Sequence, residues 1–178
     1  MRVHIGGDHA AYELQQELIA HLQSEGHEVV NHGPFDYDAV DDYPVFVLRA
    51  AEAVAADPGS RGVVLGGSGN GEQMAANKVA GIRAALCYDV ELARLAREHN
   101  DAQVISIGGR MQPVEVATEM VRVFLSTDFT GEPRHQRRID MVTRYEQTRE
   151  LPELQATPGD RPTRRWAIGP YTTPNPGQ

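Results

Sequence analysis

Short apolar runs alternate along this chain with segments of helical periodicity, and that alternation constrains the fold most strongly. The run Gly62-Val63-Val64-Leu65 is continuously apolar, which is typical of a strand buried on both faces of a sheet. Strands are predicted at 2–7, 28–31, 62–65, 82–87 and 103–107. Helices are predicted at 12–24, 43–56, from the turn after residue 66 to about 78, and at 90–99, 113–125 and 133–149. This order predicts an α/β fold, a doubly wound, Rossmann-like or flavodoxin-like sheet of five parallel strands with helices on both faces.

Composition excludes several classes of protein. The single cysteine, Cys87, rules out a disulfide framework and a cysteine-cluster zinc site. No apolar run approaches the ~18 residues that span a bilayer, and the first residues lack the apolar core of a secretory signal, so we expect a cytoplasmic protein without membrane contact. The net charge of −8 argues against nucleic-acid binding but leaves room for a small anion held by local arginines.

Composition changes near residue 151. The 27 residues from 152 to 178 hold six of the eleven prolines and show no helical or strand period. We therefore predict one domain over 1–151 and a Pro/Gly-rich tail over 152–178, which either lacks order or packs across a partner subunit.

A glycine-rich segment follows the third predicted strand and opens a helix. Residues 66–72 read Gly-Gly-Ser-Gly-Asn-Gly-Glu, which lets backbone N–H groups approach an oxyanion or phosphate. The pattern is neither a P-loop nor the full dinucleotide fingerprint. From spacing alone, Glu72 is an acid that complements the helix dipole; the alternative is a general base beside an oxyanion site.

Asp8 and His9 end the first predicted strand at the same sheet edge. A helix cap would explain Asp8 but gives no reason for His9, so we expect the pair to face the glycine-rich segment. In a flavodoxin-like order the first and third strands are neighbours, about 4.8 Å apart.

His99 and Asn100 create a conflict of position. Both suit a helix C-terminus, which is the plain structural interpretation. If they are functional, however, their helix runs back to the amino edge of the sheet, away from Glu72. We therefore expect a site shared between two subunits of a homodimer.

Three arginines are candidates for anion binding. Arg134 and Arg138 share one face of the last predicted helix, near an N-terminus whose dipole they oppose, and Arg110 follows the fifth strand. A bound phosphate would account for this arrangement, whereas the alternative is a solvated basic face.

Taken together, these segments resemble the B-type ribose-5-phosphate isomerases, a family that includes galactose-6-phosphate isomerase subunits. The resemblance covers about residues 1–149. Its motifs are GGDHAAYEL at 6–14, DDYP at 41–44, GGSGNGEQMAANK at 66–78, GIRAA at 81–85, AREHNDA at 96–102, IGGR at 107–110 and RHQRRID at 134–140.

The resemblance implies interconversion of ribose 5-phosphate and ribulose 5-phosphate, in the pentose phosphate pathway, with no metal or organic cofactor. Many members use a cysteine base, but at that position this chain has Gly66, and Cys87 lies elsewhere. The departure matches an actinobacterial-type branch in which a glutamate, here Glu72, is the base, and His99 assists ring opening as the proton donor.

The resemblance also implies the substrate-binding residues. They are Asp8, His9, Gly67, Ser68, Gly69, Asn70, Gly71, Asn100, Arg110, Arg134 and Arg138, with the arginines holding chiefly the phosphate. Two alternatives stay open at this point: the same chemistry on another sugar phosphate, such as allose or galactose 6-phosphate, and a non-catalytic sensor of a phosphorylated ligand. A role for Tyr43 is likewise undecided between packing and substrate contact.

Overall fold

A computed structural model describes residues 1–154, which form one fully parallel five-stranded sheet with helices on both faces. The strands are β1 (Arg2–Gly6), β2 (Glu28–Asn31), β3 (Arg61–Gly66), β4 (Ala84–Leu86) and β5 (Val104–Gly108). The helices are α1 (Tyr12–Ser24), α2 (Tyr43–Ala56), α3 (Asn70–Ala76), α4 (Val90–Asn100), α5 (Val114–Ser126) and α6 (Pro133–Thr148). The doubly wound architecture predicted from the alternation is confirmed.

The strand order is β2-β1-β3-β5-β4. It keeps β1 beside β3, with Ile5 opposite Val63, and differs from the flavodoxin order by exchanging the last two strands. The chain leaves β1 toward one sheet edge and leaves β3 toward the other. The crevice at the carboxyl ends of β1 and β3 is therefore the topological switch point, where ligands bind in such folds.

Alternate residues of the central strands enter two apolar cores. In β3, Val63 and Leu65 pack with α1, α4 and α5, whereas Val64 packs with α2 and α3 on the opposite face. Leu18 of α1 and Phe124 of α5 are fully buried in the first core. Because both faces are covered, the strand needs apolar residues at consecutive positions, which is why it reads as a continuous run.

The region between α3 and β4 departs from the predicted boundaries. The strand starts at Ala84 rather than at 82. The side chain of Asn77 bonds both the N–H and the carbonyl of Ala84, at 2.9 Å each. Successive turns between Ala76 and Ile82 replace the last predicted helical residues.

Two further predictions concern the tail and contact with a membrane. Residues 152–154 of the predicted tail have no regular structure, and its remainder, 155–178, lies outside the described residues. Within 1–154, no helix combines the length and apolarity needed to cross a membrane.

Candidate active site

A pocket of about 550 Å³ opens at the carboxyl ends of β1 and β3, at the switch point of the sheet. We call it the carboxyl-edge pocket. It is lined by Asp8, His9, Ala10, Tyr43, Gly67, Ser68, Gly71, Glu72, Arg110 and Met111. The Asp-His pair and the glycine-rich segment thus share one cavity, in agreement with the predicted adjacency of their strands.

The glycine-rich loop is fixed from below by β5. The Gly109 N–H donates to the carbonyl of Gly66 at 2.7 Å, and the Ser106 hydroxyl donates to the carbonyl of Gly69 at 2.7 Å. Gly69 itself has φ +79° and precedes α3, a conformation that disfavours residues with a side chain. These constraints hold the loop in one conformation at the pocket floor.

The carboxyl of Glu72 occupies the space that a side chain at position 66 would fill. A Cβ built on Gly66 would lie 1.9 Å from Oε1 and 2.2 Å from Cδ of Glu72. Glu72 is only 4% exposed although it lies in the first turn of α3. The helix-dipole interpretation alone gives no reason for this burial, since a solvated acid would complement the dipole equally well.

Burial controls the electrostatics of the two acids in this pocket. It raises the pKa of Glu72, with a further rise from the nearby Asp8 carboxylate, while the N–H groups of Glu72 and Gly69 oppose it. Burial also raises the pKa of Asp8, opposed by the Ala10 N–H that its Oδ1 caps at 3.0 Å. Asp8 is therefore both the expected cap and a wall of the pocket.

His9 is held by Asp41, a residue to which the sequence assigned no role. Oδ1 of Asp41 accepts from the backbone N–H of His9 at 3.0 Å and lies 2.7 Å from Nδ1 of its ring. Because a carboxylate oxygen only accepts, Nδ1 carries the proton and Nε2 is left for the pocket. Asp41 lies in the loop after β2, beside the end of β1; its place in the DDYP motif is the one signal that pointed to it.

Three more pocket residues follow from the loop and its neighbours. Ser68 Oγ accepts from the N–H and the side-chain amide of Asn70, at 3.3 and 3.2 Å, so its own O–H remains available as a donor. The ring of Tyr43 lies against Gly71, where a Cβ would come within 2.8 Å of its hydroxyl oxygen. Arg110 is exposed beside Gly67. The pocket thus offers hydroxyl donors and one guanidinium.

A second pocket, of about 460 Å³, lies where α4 and α6 meet the amino ends of β4 and β5. We call it the amino-edge pocket. It is lined by Asn77, Arg83, Ala84, Ala85, His99, Asn100, Ala102, His135, Arg138, Ile139 and Val142. The rings of His99 and His135 stack there, with centroids 4.3 Å apart.

Most of the predicted site residues therefore divide between the two pockets, whereas Gly69 and Asn70 of the glycine-rich loop line neither of them. Glu72 and Arg110 lie in the carboxyl-edge pocket, whereas His99, Asn100 and Arg138 lie in the amino-edge pocket. Arg134 is exposed, pairs with Glu132 at 2.7 Å and lines neither of these two pockets. One chain does not bring the candidate base and the candidate proton donor together, as their positions on opposite sheet edges led us to expect.

One group of side chains has the composition of a metal site. Among residues 1–154, Asp8, His9 and Asp41 place ligand atoms within 4.8 Å of one another. The 2.7 Å contact between His9 and Asp41 is an ordinary hydrogen bond that uses one atom of each. We assign no metal to this group, and the absence of a cofactor stays a prediction.

Comparison with known proteins identifies close relatives. The family model described as Ribose/Galactose Isomerase matches residues 3–142. Ribose-5-phosphate isomerase B of Mycobacterium tuberculosis is 55% identical over 158 residues, covering 89% of this chain and 98% of that protein. A galactose-6-phosphate isomerase subunit of Clostridium acetobutylicum is 40% identical over 129 residues, covering 72% of this chain and 74% of that protein.

Solved structures show the same fold. A ribose-5-phosphate isomerase B from Clostridium thermocellum superposes with a TM-score of 0.80 at 39% identity, covering 84% of this chain and all of that chain (100%). One from Mycoplasma genitalium, with ribulose 5-phosphate bound, gives a TM-score of 0.79 at 37% identity and covers 83% of this chain and 97% of that chain.

Proposed function

This chain belongs to the ribose/galactose isomerase family, and from that premise we infer that it interconverts ribose 5-phosphate and ribulose 5-phosphate, with Glu72 as the base. Residues 1–151 would form the catalytic unit. The observation that carries the choice of base is the Glu72 carboxyl, buried in the switch-point pocket in the space left by Gly66.

The isomerisation needs one group that removes and returns a proton. Glu72 would take the proton from C2 of the open-chain aldose and deliver it to C1, while a proton moves from the C2 hydroxyl to the C1 oxygen. Burial raises the pKa of Glu72, which makes its carboxylate a stronger base than a solvated one. One carboxylate suffices because C1 and C2 are adjacent in the enediolate.

The negative charge that develops on the substrate oxygens needs donors. The free O–H of Ser68 and the backbone N–H groups of Gly67, Ser68 and Gly71 would supply them at the pocket floor. The N–H of Asn70 already donates to Ser68 Oγ, and that of Gly69 bonds the Glu72 carboxyl. His9, oriented by Asp41, and the Asp8 carboxyl would contact the sugar hydroxyls, and Arg110 would hold one side of the phosphate.

The rest of the proposed site comes from a second subunit of a homodimer. Among residues 1–154, the carboxyl-edge pocket contains no group that would protonate the ring oxygen besides those already assigned, while the amino-edge pocket offers His99, Asn100 and Arg138 without a buried carboxylate base. A two-fold axis that places the amino-edge pocket of one subunit against the carboxyl-edge pocket of the other would combine these groups in one site. Arg134 and Arg138 would then complete the phosphate site.

Proton exchange followed by NMR tests this function. Ribose 5-phosphate in D₂O should give ribulose 5-phosphate and acquire deuterium at the exchanging carbon. Binding of ribose 5-phosphate without turnover or exchange would contradict the isomerase and favour a phosphate-ligand sensor. Allose 6-phosphate and galactose 6-phosphate, assayed in parallel, should turn over more slowly than ribose 5-phosphate. A higher kcat/KM for either than for ribose 5-phosphate would indicate that the substrate is a six-carbon sugar phosphate.

A further inference from the structure

The imidazole of His135 stacks nearly parallel on that of His99 in the amino-edge pocket. The ring centroids are 4.3 Å apart and the ring planes differ by 13°. His135 lies in the first turn of α6 and His99 in the last turn of α4, so the stack joins two helices at the pocket wall. Nearly parallel rings at this distance are in van der Waals contact over their faces, so each ring limits the orientations open to the other.

We propose that His135 is a positioning residue, which holds the His99 imidazole in the orientation needed to protonate the sugar ring oxygen. The proposal rests on the proposed role of His99 in ring opening. His135 does not itself touch the substrate in this account.

The two rings differ in how deeply they are buried. His135 is 5% exposed, and within residues 1–154 its Nε2 has no hydrogen-bond partner, whereas His99 is half-buried and reaches the pocket. A buried nitrogen without a partner destabilises a fold, so polar bonding at Nε2 does not explain why this ring is there. The contact with His99 does explain the position of the His135 ring, because His135 presents the face of its ring to His99.

The charges around the stack favour an uncharged His135. Burial lowers the pKa of His135, and His99 and Arg134 lower it further against the opposing Glu132, whose Oε2 is 3.9 Å from Nε2. Arg138 and Arg83 also line this pocket, and Glu91 lies in the first turn of α4, the helix whose last turn carries His99. An uncharged ring places no like charge beside His99, so it tolerates His99 in the protonated form that ring opening requires.

Substitution at 135 tests the stack against a general structural role. His135→Ala removes the ring, and His135→Phe keeps a ring that cannot titrate. Gln136→Ala, on the same turn and exposed, is the matched control. We expect kcat/KM for ribose 5-phosphate to fall about tenfold in His135→Ala and to stay near wild type in His135→Phe and Gln136→Ala.

Deuterium exchange separates ring opening from the chemistry of Glu72. Ribulose 5-phosphate cannot close a furanose ring, since its C5 oxygen carries the phosphate, so exchange of its C1 proton with D₂O needs no ring opening. This exchange should be unchanged in His135→Ala. An equal loss in exchange and in turnover, or an equal loss in His135→Phe and His135→Ala, would overturn the proposal.

A spectroscopic measurement tests the stack without activity. The ring protons of His99 should be shifted upfield by the ring at 135 in wild type and in His135→Phe, and this shift should disappear in His135→Ala. If the shift is lost in His135→Ala but His99→Asn still turns over normally, the stack is supported and the role of His99 in ring opening is refuted. An unchanged shift in a folded His135→Ala would refute the stack itself.

Discussion

The carboxyl-edge and amino-edge pockets carry different candidate catalytic groups. Each offers a titratable group and a guanidinium: Glu72 with Arg110 in one, His99 with Arg138 in the other. The carboxyl-edge pocket lies at the switch point, with its acid buried beside a loop that is hydrogen-bonded to β5. The amino-edge pocket lies between two helices, and its histidine is stacked on a second ring.

In the proposed enzyme, the two pockets would carry out different steps of the reaction. Carbon-bound protons are acidic only beside a carbonyl, so their removal requires a strong base held in a fixed place, and a sheet edge with a glycine loop supplies it. Proton delivery to a ring oxygen requires a side chain that can act as an acid, and the His99 imidazole at a helix end would supply it. Neither pocket alone holds both groups.

Removing the base should give the largest effect. Glu72→Gln should lower kcat by about 10³-fold with little change in KM, because the amide keeps the shape but accepts no proton. Steady-state kinetics with ribose 5-phosphate measures this. Glu115→Gln is the control, since Glu115 is an exposed acid in the first turn of α5 and should have no effect on kcat. Near-normal turnover in Glu72→Gln would remove Glu72 from its role.

Displacing the Glu72 carboxyl should lower activity less than removing it. In Gly66→Ala the new methyl group would lie 1.9 Å from Oε1 of Glu72, so the flexible side chain must move. Since misplacing a catalytic group by about 1 Å can cost 10²-fold, we expect a loss of about that size with the thermal midpoint little changed. Full activity in Gly66→Ala would show that the carboxyl position is not critical.

The burial of Glu72 should lower the free energy of unfolding at neutral pH. Its pKa is raised in the folded chain, so the folded state binds more protons and loses stability as pH rises from about 4.5 through the folded pKa. Glu72→Gln should therefore raise the free energy of unfolding by about 1 kcal/mol at pH 7 and by nothing below pH 4. Denaturant titrations at both pH values measure this, and a variant less stable than wild type at pH 7 would contradict it.

Cysteine chemistry should have no effect at either pocket. Cys87 is buried in the first apolar core, and burial raises its pKa to about 12, so almost no thiolate exists at neutral pH. Iodoacetamide should leave the native enzyme fully active. Inactivation that substrate prevents would indicate a reactive cysteine and undermine the assignment of Glu72.

The sequence predicted the fold and the existence of the carboxyl-edge pocket, because both depend on local patterns. The continuous run of β3 and the glycines after it specify a buried strand and a tight turn without reference to the rest of the chain. The order of β4 and β5 could not be predicted, since it depends on which strand packs beside β3.

Side-chain placement was harder to predict. The burial of Glu72 depends on the empty space at Gly66, six residues earlier, and spacing alone favoured a solvated acid. The bond from Asp41 to His9 joins two loops that meet only after β1 and β2 pair. Stacking of His135 on His99 likewise requires α6 to dock on α4.

The central claim is that the two pockets of different subunits make one site, and mixing two inactive variants tests it directly. Glu72→Gln and His99→Asn are unfolded together and refolded as a mixture, so that half of the dimers are mixed and each mixed dimer has one intact site. We predict recovery of about a quarter of wild-type activity. Glu72→Gln mixed with the double variant should recover none, because no chain then carries Glu72. Failure of the first mixture to exceed its two components would contradict a shared site.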